Sequence, residues 1–382
     1  MDTLLVAVTL AVALIMAAPY LGYLLLYAVV RPSGSPVEKR PIEPTVSIVL
    51  PTYNEAGIVE RKLDDLHRLD YPVEKLDLVV VDSSDDETPT RIREYADEHE
   101  TFPELTLIEE EERRGLAPAL NDAYAAAEGE IVVKTDCDSM LTESTLREAI
   151  ANFADEDVDV VTGRNVEVPG GSDVESGYRD VQGHVQALES HLDSTLIVHG
   201  PFTAFRNRAI VPLDPNSLAD DTELALKIRR NGGRVIFDPD VHYKEASHSD
   251  FSKRRTQKDR RAMGLIRLLA QHRDALFRYG RYGRIVLPFN WWFMIVSPWL
   301  LLATILLVTA SAVAVVGPVG AVVLAPLIAF VWLGQADRLG PVHPLYALFD
   351  TQVSLLIAGV RLLRTDSDGT WEIDSELRDA YE

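Results

Sequence analysis

The stretch Ile131-Val132-Val133-Lys134-Thr135-Asp136-Cys137-Asp138 decides how this chain is read. Ile131 to Val133 is a short apolar run of the kind that forms a buried strand, and it leads directly to two aspartates separated by one small residue. Two carboxylates this close repel each other unless they share a cation. Hard oxygen ligands suit Mg²⁺ or Mn²⁺, ions that also bridge the phosphates of a bound nucleotide. Asp-x-Asp alone is weak evidence, because an acidic chain produces it by chance, and Ser139 and Thr142 are fit to cap a following helix. Its position at a strand end gives it weight.

Working outward, strand and helix alternate. Val46 to Leu50, Leu78 to Val81, Leu105 to Ile108 and Val158 to Val161 read as further buried strands. Between them, Ile58 to Leu69, Thr88 to Tyr95, Ala117 to Ala127 and Thr142 to Phe153 carry helical spacing. Such alternation implies an α/β fold with a parallel sheet covered by helices on both faces. Ligands of such sheets bind at the carboxyl ends of the strands, so any chemistry belongs just after each strand. Pro51-Thr52-Tyr53-Asn54-Glu55 follows the first strand, Asp82-Ser83-Ser84-Asp85-Asp86-Glu87-Thr88 the second, and Thr135-Asp136-Cys137-Asp138 the fourth. Three polar clusters in register point to one crevice.

The chain has 382 residues, of which 47% are hydrophobic, unevenly placed. Leu4 to Val30 and Ile285 to Ala336 carry no charge. The first has the length of one membrane-spanning helix and the second that of two, broken near Gly317-Pro318-Val319-Gly320. A cleaved signal peptide is the alternative for the first, with Ala17-Ala18 as small residues. No basic residue precedes it, however, and the apolar run continues beyond that point. Pro344 to Leu363 is apolar but contains Asp350, Gln352 and Arg361, and reads as a helix in the interface, with a third C-terminal span, which would reverse the side of the tail, as the alternative. Basic residues flank the spans at Arg31, Lys39 and Arg40 and throughout Phe251 to Arg284, which places the intervening region in the cytoplasm. The formal charge of −22, with 59 acidic against 37 basic residues, argues against nucleic-acid binding. It suits a salty cytoplasm, where dense carboxylates keep a protein soluble. The single cysteine, Cys137, excludes an internal disulfide.

Two further clusters complete the candidates. Asp82 has the placement expected for contacting a ribose or base, whereas Asp86 and Thr88 suit helix caps. Asp220-Asp221 opens a helix ending near Asn231-Gly232-Gly233; a carboxylate there is normally a cap. Here it also supplies a candidate general base for an acceptor hydroxyl.

Assembled in order, these residues resemble family 2 of the inverting glycosyltransferases, which have the GT-A fold. Pro51, Thr52, Tyr53 and Glu55 resemble the base-contacting motif, Asp82 the nucleoside motif, and Arg114-Gly115 through Asn121 the stretch before the metal motif. Asp136 and Asp138 match the Asp-x-Asp motif for metal and donor diphosphate. Gly200 to Arg206 resembles the acceptor-side segment, and Asp220-Asp221 replaces the usual Glu-Asp, which makes Asp221 the implied catalytic base. Gln257, Arg260 and Arg261 resemble the Gln-x-x-Arg-Trp motif, with Arg261 in place of the tryptophan, a change that argues against processive extension. The resemblance spans roughly Val46 to Gly264.

With the apolar ends and the acidic charge, the resemblance implies a membrane-bound enzyme of a haloarchaeon-like source, using Mg²⁺ or Mn²⁺ and a UDP- or GDP-linked sugar. The acceptor would be a polyprenyl phosphate or lipid-linked glycan at the cytoplasmic face of the cell membrane. The expected division is an anchor over 1–31, a GT-A catalytic domain over 44–250 and a basic juxtamembrane segment over 251–284. Two spans over 285–336 and an interfacial helix with tail over 337–382 complete it. The rival readings are a processive polysaccharide synthase and an inactive membrane scaffold. A transporter is disfavoured by the lack of charge in the spans.

Overall fold

The computed structural model describes residues 2–167, 173–245, 251–336 and 338–364. Its sheet is built out from β1 (Val46–Thr52), whose successive side chains enter different cores, Ile48 and Leu50 on one face and Val49 on the other. That is the two-residue period of a strand buried on both sides. On one flank β1 pairs in parallel with β2 (Leu76–Asp82), from Val46 opposite Leu76 to Thr52 opposite Asp82. Next comes β3 (Glu104–Glu109). On the other flank β1 pairs in parallel with β4 (Ile131–Lys134).

Beyond β4 the sheet departs from the purely parallel arrangement that alternation implies. β5 (Ser139–Leu141), β6 (Val158–Glu167), β7 (Thr203–Arg206) and β8 (Arg234–Glu245) complete the order β3-β2-β1-β4-β7-β6-β8-β5. β7 is antiparallel to both β4 and β6, and β5 is antiparallel to β8. The sequence pattern does not reveal β5, β7 or β8. The first two span three and four residues, and Pro239 interrupts the third.

Helices α2 (Val59–His67), α3 (Thr88–Glu98) and α5 (Thr145–Ile150) cover one face of the sheet with Leu63, Leu66, Ile92 and Leu146. The opposite face is covered by α4 (Leu116–Ala126) and α7 (Asp220–Arg230), through Leu120, Leu224 and Ile228. The helix expected over 142–153 starts only at Thr145, because Thr142 to Ser144 form the turn that leaves β5, closed by the Thr142 N–H donating to Thr145 Oγ1.

A third core joins this domain to the apolar helices. It unites Leu226 of α7 with Leu268 and Leu269 of α8 (Phe251–Gln271). Tyr282, Val286 and Leu287 at the start of a continuous helix, and Leu355 of α12 (His343–Leu362), complete it. That helix, Tyr282–Val316, contains α9 (Leu287–Trp291) and α10 (Ser297–Val316) and ends at Gly317, where φ is +75°. The next stretch doubles back so closely that a side chain on Gly320 would meet the Ala312 carbonyl at 2.4 Å. The break expected near Gly317-Pro318-Val319-Gly320 is therefore present, and α11 (Ala325–Gln335) follows. N-terminal α1 (Asp2–Val30) lies along α10, with Thr9 and Ser311 hydroxyls 2.9 Å apart and the Tyr23 ring stacked on Phe289.

Among the described residues, four stretches are long and apolar enough to cross a membrane: Thr3–Val30, Tyr282–Val316, Pro318–Gln335 and Gly340–Leu362. The last contains the segment read from sequence as interfacial. Its charged residues are held by α8, Asp350 by Lys258 at 3.2 Å and Arg361 by Asp259 at 3.1 Å.

Two ion pairs tie the end of α7 to the entry of the long helix. Arg229 holds Asp193 at 2.9 Å and donates to the Tyr279 carbonyl, while Arg230 holds Asp274 at 2.6 Å. Nearby, Glu189 of α6 (Asp173–Leu192) is buried where the domain meets the apolar helices. It accepts hydrogen bonds from Thr195 Oγ1, the Leu196 N–H and Asn290 Nδ2 of α9, the last at 2.6 Å. Burial pushes its carboxyl up to about 7, against the opposing effect of these donors.

A carboxyl raised in this way binds its proton more tightly in the folded than in the unfolded chain. Its stabilising contribution is complete below the ordinary value of 4.5 and is lost as pH rises through about 7. Melting temperature in detergent should therefore fall between pH 5 and pH 8, and Glu189→Gln should flatten that fall. An identical slope in the variant would remove Glu189 as its source.

Candidate active site

The register of β1 with β2 places Thr52 beside Asp82 and brings two polar turns together. Asp82 is buried, and its carboxylate accepts from Thr52 Oγ1 at 2.5 Å and from the Ser84 N–H and hydroxyl. Asn54, in the left-handed region at φ +54°, donates its N–H to Ser84 Oγ, and its side chain accepts from the Asp85 N–H. Thr88 opens α3 and accepts from the Glu55 N–H, and Asp86 accepts from the Thr88 N–H and hydroxyl. The cap position expected for these two is held instead by Glu87, which makes no side-chain cap bond. The turn of Pro51, Thr52, Tyr53 and Glu55 is thus tied to the turn that follows Asp82. The guanidinium of Arg113 lies 3.7 Å over the Tyr53 ring. Arg114, the arginine singled out from sequence, turns instead to Glu110 and Asp122.

The second wall is the end of β4. Lys134, its last residue, is 2% exposed, and its ammonium lies 2.7 Å from Asp136 Oδ1 and 3.3 Å from Asp221 Oδ1 at the start of α7. Gly200 faces these groups at close quarters. A Cβ there would stand 2.9 Å from Asp136 Oδ2, 2.9 Å from Asp221 Oδ2 and 3.0 Å from Lys134 Nζ. Glycine leaves room for this close approach, and a side chain there would displace the two carboxylates and the ammonium.

Burial works against the Lys134 charge, but Asp136, Asp221 and Asp220 outweigh it and hold its pKa well above the ordinary range. Asp221 is pushed up to about 8 by burial and by Asp220 and Asp136, with Lys134 opposing. Asp138 is pushed up to about 7 by burial and by Asp136, Glu245 and Glu55. Such crowding of buried carboxylates is what a cation site looks like before its ion is counted. Among the described residues, no group of three or more His, Cys, Asp or Glu side chains is arranged to hold an ion alone. An ion between Asp136 and Asp138 therefore needs phosphate or water oxygens as well, a donor set that suits Mg²⁺ and Mn²⁺.

The third wall comes from α8. Burial and the neighbouring Arg261 lower the Arg260 pKa, while Asp220, Asp136 and Asp138, the carboxylates it faces, act in the other direction. Arg261 binds Glu245 at 2.8 Å, and Arg179 approaches the same carboxylate from α6. Glu245 itself stands opposite Ser139 in the β5–β8 pairing, beside the Asp138 turn. The side chain of Gln257 lies outside the described residues.

With that geometry in place, the comparisons decide the family. The family model Glycosyl transferase family 2 matches residues 47–211, and Glycosyl transferase family group 2 matches residues 131–334. The chain belongs to glycosyltransferase family 2. It is a GT-A-like glycosyltransferase with one apolar helix near the N-terminus and others in the C-terminal region. A solved mannosyltransferase, PcManGT from Pyrobaculum calidifontis, in complex with GDP-Man and Mn²⁺, is similar at 31% identity and a TM-score of 0.77. The match covers 94% of this chain and 99% of that one. Among curated relatives, the probable glycosyltransferase YdaM of Bacillus subtilis is 23% identical over 206 residues, which are 51% of this chain and 49% of that protein. The poly-beta-1,6-N-acetyl-D-glucosamine synthase of Staphylococcus aureus is 25% identical over 203 residues, 51% of this chain and 48% of that protein. The chain spans about half the length of the curated relatives it matches.

The structure thus brings Asp136, Asp138, Gly200, Asp220, Asp221 and Arg260 to one crevice. Sequence reading passed over Lys134, Arg113 and Glu245. A lysine closing an otherwise apolar strand was the available signal for the first. Nothing local marks the other two, because they depend on which loops meet.

Gly200→Ala should separate the carboxylates and lower kcat/KM for sugar transfer by at least about tenfold, with melting temperature nearly unchanged. Near-normal transfer by this variant would show that the close approach of Asp136 and Asp221 is dispensable.

Proposed function

We propose that this enzyme is a membrane-bound inverting glycosyltransferase whose Asp221 deprotonates the acceptor hydroxyl. The observation that carries the reading is the shared lysine. Lys134 joins Asp136, on the metal loop, to Asp221, on α7, across the floor of one crevice. Asp136 and Asp138 would hold Mg²⁺ or Mn²⁺ together with the donor diphosphate. When bound, that ion neutralises charge on the departing nucleoside diphosphate. The oxygen of the acceptor bonds to the anomeric carbon, the bond to the phosphate oxygen breaks, and the hydroxyl proton passes to Asp221. A single attack on the opposite face inverts the centre. Pro51, Thr52, Tyr53, Glu55 and Asp82 form the nucleoside wall, and Arg114 stands behind it through Glu110. Gly200, Asp220, Gln257, Arg260 and Arg261 form the diphosphate and acceptor side.

The donor is a UDP- or GDP-linked sugar, and GDP-mannose is the first to try because the similar mannosyltransferase was solved with it. The acceptor is a polyprenyl phosphate or lipid-linked glycan. The apolar stretches among the described residues, with outward Leu14, Leu25, Ile328 and Trp332, support placement in a bilayer. A loop carrying exposed Phe277 among Arg273, Arg278, Arg281 and Arg284 supports a cytoplasmic catalytic domain. On this reading 1–31 is the anchor, 44–250 the catalytic domain, 251–284 the juxtamembrane segment, 285–336 two spans, and 337–382 an interfacial helix with tail. The acidic surface fits a salt-adapted, haloarchaeon-like source. Similarity to the Staphylococcus synthase favours a second reading, processive polymer synthesis. Arg261 in place of tryptophan weighs against it.

Labelled nucleotide sugars supplied at high salt with Mn²⁺ and a native lipid extract separate the two. Label entering the organic phase only with metal is the expected result, whereas label confined to long water-soluble polymer would favour the synthase. Asp221→Asn should lower transfer by roughly a thousandfold or more with nucleotide affinity unchanged, and parallel loss of binding would refute its role as base. Asp138→Ala should abolish the metal-dependent part of donor binding.

A further inference from the structure

Lys62 is the buried charge that the mechanism above leaves unused. It lies on the apolar face of α2 between Val59 and Leu66 and is completely buried. Its ammonium donates to Thr135 Oγ1 at 2.9 Å and to the Ser139 carbonyl at 2.8 Å, and pairs with Asp65 Oδ2 at 3.5 Å. An ammonium group has three protons, and these partners use all of them.

The partners are placed on either side of the metal loop. Thr135 immediately precedes Asp136-Cys137-Asp138 and Ser139 immediately follows it. Thr135 Oγ1 in turn donates to the Pro201 carbonyl at 2.8 Å, next to Gly200. Ser139 Oγ donates to the Asp136 carbonyl at 2.8 Å, closing the turn from within. Asp65 accepts from the Leu141 N–H at 2.8 Å and so fixes the strand that leaves the loop. One ammonium thus ties α2 to both ends of the loop and, through Thr135, to the Gly200 segment. A buried ion pair is poor evidence of stabilisation, since apolar side chains of similar volume often serve stability better. What the polar arrangement provides is a unique loop conformation.

We infer that Lys62 is a positioning residue for the cation site, holding the loop so that Asp136 and Asp138 are set for the ion before the donor arrives. The inference rests on the reading of Asp136 and Asp138 as metal ligands and adds to it the group that shapes them.

The test is calorimetry on the full-length protein in detergent, with GDP and UDP as probes, each with and without Mn²⁺. The double variant Lys62→Met/Asp65→Asn removes both charges together, so neither is left unpaired in the core. Thr135→Val breaks the same link while keeping Lys62 and the side-chain volume. In both, nucleotide affinity without metal should stay within about twofold of wild type, and the enhancement by Mn²⁺ should fall about tenfold. An unchanged Mn²⁺ enhancement in folded Thr135→Val overturns the inference. Equal loss of metal-free and metal-dependent binding, together with a lowered melting temperature, also overturns it, because Lys62 would then be structural only. Wild-type protein indifferent to Mn²⁺ with either nucleotide would refute the metal site itself, an outcome distinct from the other two.

Discussion

The active-site end of this molecule depends on one ammonium group enclosed between carboxylates from different elements. Lys134 ends a strand and yet reaches Asp136 on the next turn and Asp221 on a helix more than eighty residues away. At about 4 Å, attraction between unit charges is on the order of 4 kcal/mol when the effective dielectric is about 20. The penalty for burying each ion is of similar size, several kcal/mol. The two effects nearly cancel, so the cluster adds little to stability. Its contribution is geometric: it sets where two acidic groups stand relative to each other. That explains why the surroundings are so closely shaped, with glycine leaving room at position 200 and β7 turned antiparallel to deliver that segment beside β4.

Much of this was legible in the residues. The apolar runs of β1, β2 and β4 are bounded by polar turns, and a parallel αβ sheet places such turns at one edge, so the clusters after Thr52, Asp82 and Lys134 had to meet. Asp220 and Asp221 could be suspected only from chemistry, because their position at a helix start is equally explained by capping. Arg113 and Glu245 had no signal at all. The first acts through a loop conformation that swaps the roles of neighbouring arginines, and the second lies on a strand broken by Pro239. Lys62 and Lys134 were visible as anomalies, charges on faces that packing makes apolar. Helical and strand periods treat such residues as noise, although a buried lysine must find acceptors.

The antiparallel half of the sheet and the third hydrophobic core answer one requirement. α7 packs against the sheet with Leu224 and Ile228 and against the apolar-helix side with Leu226. The residue pattern of an eleven-residue helix thus records two packing partners. Glu189 serves the same junction with polar chemistry, linking α6 to α9 through Asn290. The sheet domain is fastened to the apolar helices by packing and by directed hydrogen bonds.

The two ends of α7 have a joint consequence. Its first turn carries Asp221 and its last turn holds, through Arg229 and Arg230, the residues around Tyr279 where the longest apolar helix begins. Eleven residues at about 1.5 Å each make a rod of about 16 Å. The helix is therefore a spacer of constant length between the place where the chain enters its apolar layer and the carboxylate in the crevice. With Asp221 as the proposed base, the number of turns in α7 would set the height at which an acceptor presents its hydroxyl, and reach would select acceptors as well as chemistry.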